Sequence, residues 1–375
     1  PFKELCGCGI GFKLIQALCL EWGIDPQQLI NYLDLVSLAT VGDQMPLNNE
    51  NRVITYLGLR QINENPRPGI KALLSDLKGQ EISTSTLVFK LSPKINAAGR
   101  MKHASLALEL LMCDNLEDTI NLSEQIQSIN IERREEDKKT TKEALIQIKD
   151  REEELFSSTL VHDDNWHPGI IGIVASRLIE KYYRPTIVLT KRNEYYIGSA
   201  RSIKGFDIYK ALKKCSDVLE QFGGHKYAAG LKLHESKLEL FRNEFEKITN
   251  KHISDKQKIK TCIYDLEISL SDLNIKFFQI ISQMEPFGPN NLKPIFFTRD
   301  CISTSQTRCI GRENAHLQLF IRSKNKTYKG IAFGRGEIVN KIKESKGFDI
   351  LYSLEKNSWN GNNELQLVIV DIKIK

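Results

Sequence analysis

At 375 residues, 41% apolar and 27% charged, the chain has the make-up of two or three globular domains, which excludes the disordered and fibrous classes. No window approaches the roughly 18 unbroken apolar residues of a membrane span, since the best candidate, Ile170–Ile179, is interrupted by Gly, Ser and Arg. Eight Cys, with only Cys6-x-Cys8 closely spaced, give neither a disulfide scaffold nor a zinc knot, and a net charge of +6 is common to nucleic-acid binders and many unrelated proteins. A reducing cytoplasm is the expected compartment. A first residue Pro1, with no Met and no leader ahead of the first helical pattern, predicts a portion of a longer protein.

Apolar residues recur at helical spacing over Gly11–Trp22 and again over Pro26–Val41, broken by Gly23 and by Gly42-Asp43. Pro46-Leu47-Asn48-Asn49-Glu50 supplies cap chemistry for a third helix holding Val53, Ile54 and Leu57, which Pro66-Arg67-Pro68 stops, and a short helix covers Gly69–Leu77. This all-helical opening is natural for the back half of an α/β domain. From Ser105 to Glu154 there is no Pro or Gly, and Leu122, Ile126 and Ile129 precede the mixed-charge run Glu132–Lys139. The stretch predicts one long helix or two abutting ones. A continuous helix of about 40 residues would run about 60 Å, enough to bridge two domains, with its charges on a solvated face.

The period then changes. A strand at Ser158–His162, a helix over Pro168–Tyr182, strands at Thr186–Leu189 and Tyr195–Ala200, and helices over Asp207–Glu220 and Leu238–Thr249 predict an α/β domain. From Lys260 short β-rich runs dominate: Cys262–Ile268, Ile295–Phe297, His316–Ile321, Tyr328–Phe333, Asp349–Leu354 and Leu365–Ile374, interrupted by one helix, Leu273–Met284. Trp359-Asn360-Gly361-Asn362 is a tight-turn signal. These runs predict a small barrel of the oligonucleotide-binding (OB) kind. The fold class is multidomain α/β, with domains over 1–80, 81–155, 156–255 and 256–375.

Five stretches carry candidate chemistry. Asp43 ends an apolar segment, a rigid platform that suits either a metal-ligating carboxylate or a helix cap. Asn96-Ala97-Ala98-Gly99-Arg100 sets small residues ahead of an Arg that can grip a phosphate bidentately, or else forms a tight turn. Ser199-Ala200-Arg201-Ser202 follows a strand and precedes Gly205 and a helix, where hydroxyl, N–H and guanidinium groups can converge on an anion. Gly223-Gly224-His225-Lys226-Tyr227-Ala228-Ala229-Gly230 is the most unusual stretch. Its paired glycines permit close approach to a ligand, His225 can donate to a phosphate or move a proton, and the small residues after it leave a following helix unobstructed. Asp163-Asp164-Asn165-Trp166-His167 reads as loop and cap chemistry ahead of Pro168. No Ser-His-Asp order, HExxH or repeated Asp-x-Asp set occurs, so the chain does not assemble a complete hydrolytic centre by itself.

Taken together, eight stretches in order resemble the DHH phosphoesterase family, and within it the single-strand-specific 5′→3′ DNA exonucleases. They are Pro1–Gly7, Asp34-Leu35-Val36 through Pro46-Leu47, Asn49-Glu50-Asn51-Arg52, Ile95–Arg100 with His103-Ala104-Ser105, Trp166–Gly172, Gly223–Gly230, Pro286-Phe287-Gly288-Pro289-Asn290-Asn291, and Trp359-Asn360-Gly361. The resemblance implies the back half of a DHH domain, a long connecting helix, a DHH-associated domain marked by Gly223–Gly230, and a C-terminal OB barrel. It implies a two-metal Mn²⁺ or Mg²⁺ centre that releases 5′-mononucleotides in DNA recombination and repair, with Asp43 as one ligand and the rest upstream of Pro1. On this resemblance His225 joins Asp43 in catalysis, while Asn96, Arg100, Ser199, Arg201, Gly223, Gly224 and His225 hold the 5′-terminal phosphate and the scissile region. The chain alone is then expected to be inactive. Implied partners are single-stranded DNA with a 5′ end, a single-stranded-DNA-binding protein and a RecQ-type helicase, with no membrane and a monomeric state. Phe287 and Trp359 read as core rather than as stacking platforms. Two alternatives are a family relative acting on nanoRNA or cyclic dinucleotides, and a non-catalytic fragment that binds single strands or recruits a partner.

Overall fold

A computed structural model describes residues 2–77, 79–152, 155–324, 326–357 and 364–375. Its first half is helical: α1 (Gly7–Glu21), α2 (Leu33–Gly42), α3 (Asn49–Glu64), α4 (Pro68–Leu73), the single turn α5 (Thr84–Thr86), α6 (Ser92–Met101), α7 (Ser105–Met112) and α8 (Leu116–Asp150). Then come β1 (Thr159–Asp163), α9 (Ile171–Tyr182), β2 (Thr186–Arg192), β3 (Tyr195–Arg201), α10 (Ile208–Lys214), β4 (Gln221–His225), β5 (Ala228–His234), α11 (Leu238–His252) and α12 (Asp255–Lys258). The last stretch holds β6 (Leu266–Glu267), α13 (Ile275–Ser282), β7 (Phe296–Ser303), β8 (Arg308–Ile310), β9 (His316–Ser323), β10 (Lys326–Ala332), α14 (Val339–Glu344), β11 (Phe348–Asn357) and β12 (Glu364–Ile374). No helix among the described residues is long and apolar enough to cross a membrane. The chain divides into two compact units: residues up to Asn65 with Glu81–Leu87 and Cys262–Lys375, and Pro66–Gln80 with Val88–Thr261.

In the first unit α2 is the central helix, with Leu33, Asp34, Val36, Ser37, Leu38, Thr40 and Val41 all buried, and Leu33 and Val36 pack with Ile54 of α3. The predicted helix from Pro26 begins where expected, with Asp25 accepting from the Gln27 N–H at 2.9 Å. It stays a 3₁₀ turn up to Tyr32, because only Leu29 in that stretch finds a buried contact, and the α-helix starts at Leu33. The barrel closes in the order β7-β11-β12-β10-β9 and back to β7, all pairs antiparallel except β10 with β12. That is the OB topology the sequence predicts. On β9 Leu317, Leu319 and Ile321 are fully buried on the core face, while of the alternate residues Gln318 is buried at 8% exposure, Phe320 is partly exposed and Arg322 is exposed. Phe287 is half-buried against this barrel's core, in keeping with a core role, whereas the Trp359–Asn362 turn lies outside the described residues.

In the second unit a five-stranded sheet runs β1-β2-β3-β5-β4, with β1 and β2 parallel across α9 and the other pairs antiparallel. One face packs Val161 and Val188 against Val174 and Leu178 of α9, and the other packs Ile187 and Leu189 with Phe241 and Phe245 of α11. Helix α8 is 35 residues, about 52 Å long. It lies within this unit, packing on α4, α6 and α7 and on α9 and β1, with Ile126, Ile129, Ala144 and Ile148 on its buried stripe.

Two local expectations are corrected. Asn96–Arg100 is neither loop nor tight turn but the C-terminal half of α6, because Ala97 and Ala98 are fully buried and hold the segment helical. The residues after His225 open no helix; Ala228-Ala229-Gly230 start β5, which pairs back on β4 through a two-residue turn at Lys226-Tyr227. Small side chains suit this strand because it lies between β3 and β4.

Candidate nucleic-acid interface

Strand register assembles most of the site in the second unit. Ser199 lies opposite Gly230, which lies opposite Gly223, and Arg201 lies opposite Ala228, which lies opposite His225. Directly opposed residues of antiparallel strands share a face, so Ser199, Arg201 and His225 stand on one side of the sheet. Ala228, Gly230 and Gly223 form the floor between them. Two strand spacings separate Arg201 from His225, roughly 9–10 Å. The intervening row points into the core, with Ala200 and Ala229 buried. A Cβ on Gly223 would meet nothing within 4 Å, and one on Gly230 only the Gly198 carbonyl at 3.9 Å, so open space lies above this floor. Gly224 has φ +139°, and a Cβ there would collide with the Ala228 carbonyl; the hairpin needs glycine at that position.

Helix α9 closes one side of this shallow cradle. A Cβ on Gly172, in its first turn, would fall 2.8 Å from Arg201 Nη2 and 3.0 Å from Ser199 Oγ. The helix therefore starts against those two side chains only because residue 172 has none. Among the described residues no side chain caps α9, so its positive end adds to the cradle's field. Arg201 Nη1 donates to Ser199 Oγ at 2.8 Å and to the Ala200 carbonyl at 2.9 Å. Arg100, at the C-terminal end of α6, donates to the Gly169 carbonyl at 3.2 Å. Burial, and then the neighbouring Arg100 charge, hold the Arg201 guanidinium below the usual arginine range. A half-buried guanidinium within electrostatic reach of a second one favours a bound anion. Asn96 is exposed one turn before Arg100 on α6. His225 is exposed, edge-on to Tyr227, and its Nδ1 accepts from the Tyr227 N–H at 3.3 Å. Thus Ser199 and Arg201 meet directly, Arg100 reaches the same helix entry within electrostatic range of Arg201, and His225 faces them across the floor.

Several positions of the Trp166–Gly172 stretch and of the acidic residues ahead of it have a structural reason. Trp166 is buried and donates from Nε1 to Glu143 at 2.9 Å, His167 Nδ1 accepts from the Gly169 N–H at 3.0 Å, and Asp163 and Asp164 accept from the Asn165 N–H and the Tyr196 hydroxyl. These acidic residues serve turns and packing, as expected from the sequence. A cavity of about 690 Å³ beside Leu108, Met112 and Cys113 contains none of the cradle residues.

Asp43 belongs to the first unit, where it caps α2 and is exposed. Its turn is braced from below. Leu47 is 1% exposed, its N–H donates to the Pro289 carbonyl at 2.6 Å, and a Cβ on Gly288 would lie 2.5 Å from Leu47 Cδ1. Arg52 donates to the Met284 and Glu285 carbonyls at 2.9 and 3.2 Å, and Thr84 Oγ1 to the Phe287 carbonyl at 2.8 Å. The Pro286–Asn291 motif is therefore a brace for the turn that carries Asp43. Its small and cyclic residues are the only trace of that role in the sequence. Cys8 lies beside Asp43, and its thiol is pushed up by burial, then by Cys6 and Asp43. Among the described residues no three His, Cys, Asp or Glu side chains gather into a metal site. Asp43 alone does not fit a two-metal centre, and no chemical step through a metal can be built from this chain.

Sequence reasoning also left the barrel's outward face unnamed. Register places Phe320 opposite Lys329 and Arg322 opposite Thr327 on β9 and β10, and the exposed Phe333 stands edge-on to His316. Aromatic and cationic groups on these two strands form the kind of surface on which OB barrels stack and track single strands. Strand alternation, once the register is known, is the signal that finds them.

A DHH-associated domain joined to an OB barrel defines a phosphoesterase-type nucleic-acid protein, and the matches with known proteins agree. Residues 153–251 match the DHHA1 domain model and residues 264–371 the RecJ OB domain model. The chain is 33% identical over 380 residues to the single-stranded-DNA-specific exonuclease RecJ of Bacillus subtilis, covering all of this chain and 47% of that protein. It is 32% identical to the RecJ of Salmonella typhimurium, covering 99% of this chain and 68% of that protein. The crystal structure of RecJ with Mn²⁺ from Thermus thermophilus superposes with a TM-score of 0.86 at 26% identity, covering 99% of this chain and 53% of that one; the form with Mg²⁺ gives the same score. The chain belongs to the RecJ family. It spans about half to two thirds of the length of these relatives.

Proposed function

We propose that this chain is the strand-binding part of a single-strand-specific 5′→3′ DNA exonuclease, with Asp43 as its one contribution to the metal centre. The observation that supports this most is the cradle of Arg100, Ser199 and Arg201 over a glycine floor. Open space lies above that floor, and guanidinium and hydroxyl groups beside it are the donors a phosphate takes. In this reading the cradle holds the 5′-terminal phosphate, His225 and Asn96 contact the adjacent nucleotide, and the barrel face of Phe320, Arg322, Lys329 and Phe333 grips the strand further along. Asp43 would complete a Mn²⁺ or Mg²⁺ pair whose other ligands come from outside this chain. The same reading gives functional domains over 1–80, 81–155, 156–255 and 256–375, a cytoplasmic setting, and a single-stranded-DNA-binding protein and a RecQ-type helicase as partners of the whole protein. The OB barrel favours long single strands over dinucleotides as substrate.

In the full-length protein, Asp43→Ala is expected to lower exonuclease turnover by several orders of magnitude while leaving single-strand affinity nearly unchanged, because a lost carboxylate ligand disrupts metal geometry while phosphate contacts carry the binding. Turnover by Asp43→Ala within a few-fold of wild type would return Asp43 to a simple helix cap.

A further inference from the structure

Helix α8 carries charge that the cradle does not use. Asp137 is fully buried, and its Oδ2 accepts from Arg177 Nη2 of α9 at 2.7 Å. Its Oδ1 is buried with no hydrogen-bond partner among the described residues. One turn earlier, Arg133 donates to Asn130 Oδ1 at 2.8 Å, and its buried Nε is also unpartnered among the described residues. Arg133 lies within electrostatic reach of Arg134, Arg100 and Arg177, and Asp137 favours its charge. Burial acts most strongly of these and holds Arg133 below the ordinary arginine range. Arg100 in turn lies within electrostatic reach of Arg201, and Arg177 is five residues beyond Gly172, on the helix whose first turn abuts Arg201 and Ser199.

A helix-packing ion pair accounts for Asp137 and Arg177 together. It does not account for Arg133, which adds a second, half-buried cation beside the same carboxylate, while the Arg133 Nε and one Asp137 oxygen stay without a hydrogen-bond partner among the described residues. Like charges held close in partly dry surroundings cost free energy unless an anion joins them. Guanidinium forks fixed by a neighbouring amide or carboxylate are pre-organised for the oxygens of a phosphate.

We propose that Arg133 and Arg177 form a second phosphate subsite, which takes an internal phosphodiester of the single strand whose 5′ end lies in the Arg100–Arg201 cradle. Asn130 and Asp137 are positioning residues that hold the two guanidiniums. The inference rests on the strand-binding reading above, and it adds a contact that does not depend on the chemical state of the strand's end.

That independence gives the test. Binding of the 375-residue chain to an oligo-dT of about 15 nucleotides, with a 5′-phosphate or a 5′-hydroxyl, is measured by fluorescence anisotropy across a salt series without divalent metal. Arg133→Gln is expected to weaken both oligonucleotides equally, by about tenfold, and to make the slope of log K against log salt shallower by about 0.7. Since Arg177→Gln alone would strand Asp137 in the interior, the second variant is Asp137→Asn/Arg177→Gln, with the same expectation. Arg133→Lys should recover the salt slope but only part of the affinity. A wild-type chain that binds with variants unchanged from it overturns the subsite alone, and so does a loss confined to the 5′-phosphorylated strand, which would assign these arginines to the end cradle. A wild-type chain that binds neither strand overturns the strand-binding reading, and the subsite with it.

Discussion

The phosphate cradle and the turn that carries Asp43 are built in different ways, and the difference explains what this chain can do. The cradle is complete within one unit: strand register brings Ser199, Arg201 and His225 to one face, Gly172 lets a helix start against two of them, and Arg100 reaches the same helix entry. The Asp43 turn is as firmly held, through Leu47 and the Pro286–Asn291 brace, yet it presents one carboxylate where a metal pair needs several. On the proposed function, binding and cutting are separable in the chain: the groups proposed to bind the strand's end lie within one unit, and the Asp43 turn offers one ligand of the proposed metal centre.

Breaking the cradle should have the largest effect on strand binding. Arg201→Ala removes charge-assisted bonds worth ~1.5–3 kcal/mol, so binding of a 5′-phosphorylated strand by the chain should weaken about tenfold or more. The sharper readout is the preference for 5′-phosphate over 5′-hydroxyl at fixed salt, which should collapse toward one. If both strands weaken equally, Arg201 tracks the backbone and does not read the end. A smaller effect is expected from Gly230→Val, which fills the open floor without touching a charge. Affinity should fall several-fold, while thermal stability holds or rises, because a β-branched residue suits a strand better than glycine. Unchanged affinity would mean that the ligand does not lie over the floor. The smallest effect on binding should come from the Asp43 side. Gly288→Ala forces Leu47 to move and should cost about 1–3 kcal/mol of stability in denaturant titration, with the 5′-phosphate preference of the folded protein left intact. Loss of that preference would show that the brace and the cradle are not independent.

Much of this was legible in the sequence where a local pattern dictates a local structure. The apolar periodicity of α2 and α9, the Pro and Gly breaks between the helices, and the alternation in β9 each follow from what one element buries. The candidate residues were legible as residue types: Arg100 and Arg201 are the right chemistry for phosphate, and Gly223–Gly230 is too glycine-rich for an ordinary strand. What could not be read was pairing. That Ala228 stands opposite both Arg201 and His225 depends on strand register, which long-range contacts fix. Without it, the small residues after His225 looked like a helix start rather than the floor of a site. The same holds for Asn96–Arg100, where two buried alanines make a helix of what local composition presents as a turn. Arg133 and Asp137 were hidden in a charged run that reads as solvated surface; only the packing of α8 against α9 separates Asp137, fully buried, from its exposed neighbours.

The separation of binding from cutting is tested most directly on the 375-residue chain itself. Purified chain is incubated with a 5′-phosphorylated single strand and Mn²⁺, and bound strand and released nucleotide are followed in the same samples across the chromatographic peak of the protein. The account predicts salt-sensitive binding that coincides with the peak and no nucleotide release above background. Release that is removed by EDTA and follows the protein peak would contradict it, since the chain would then hold a working metal centre without the ligands that Asp43 lacks.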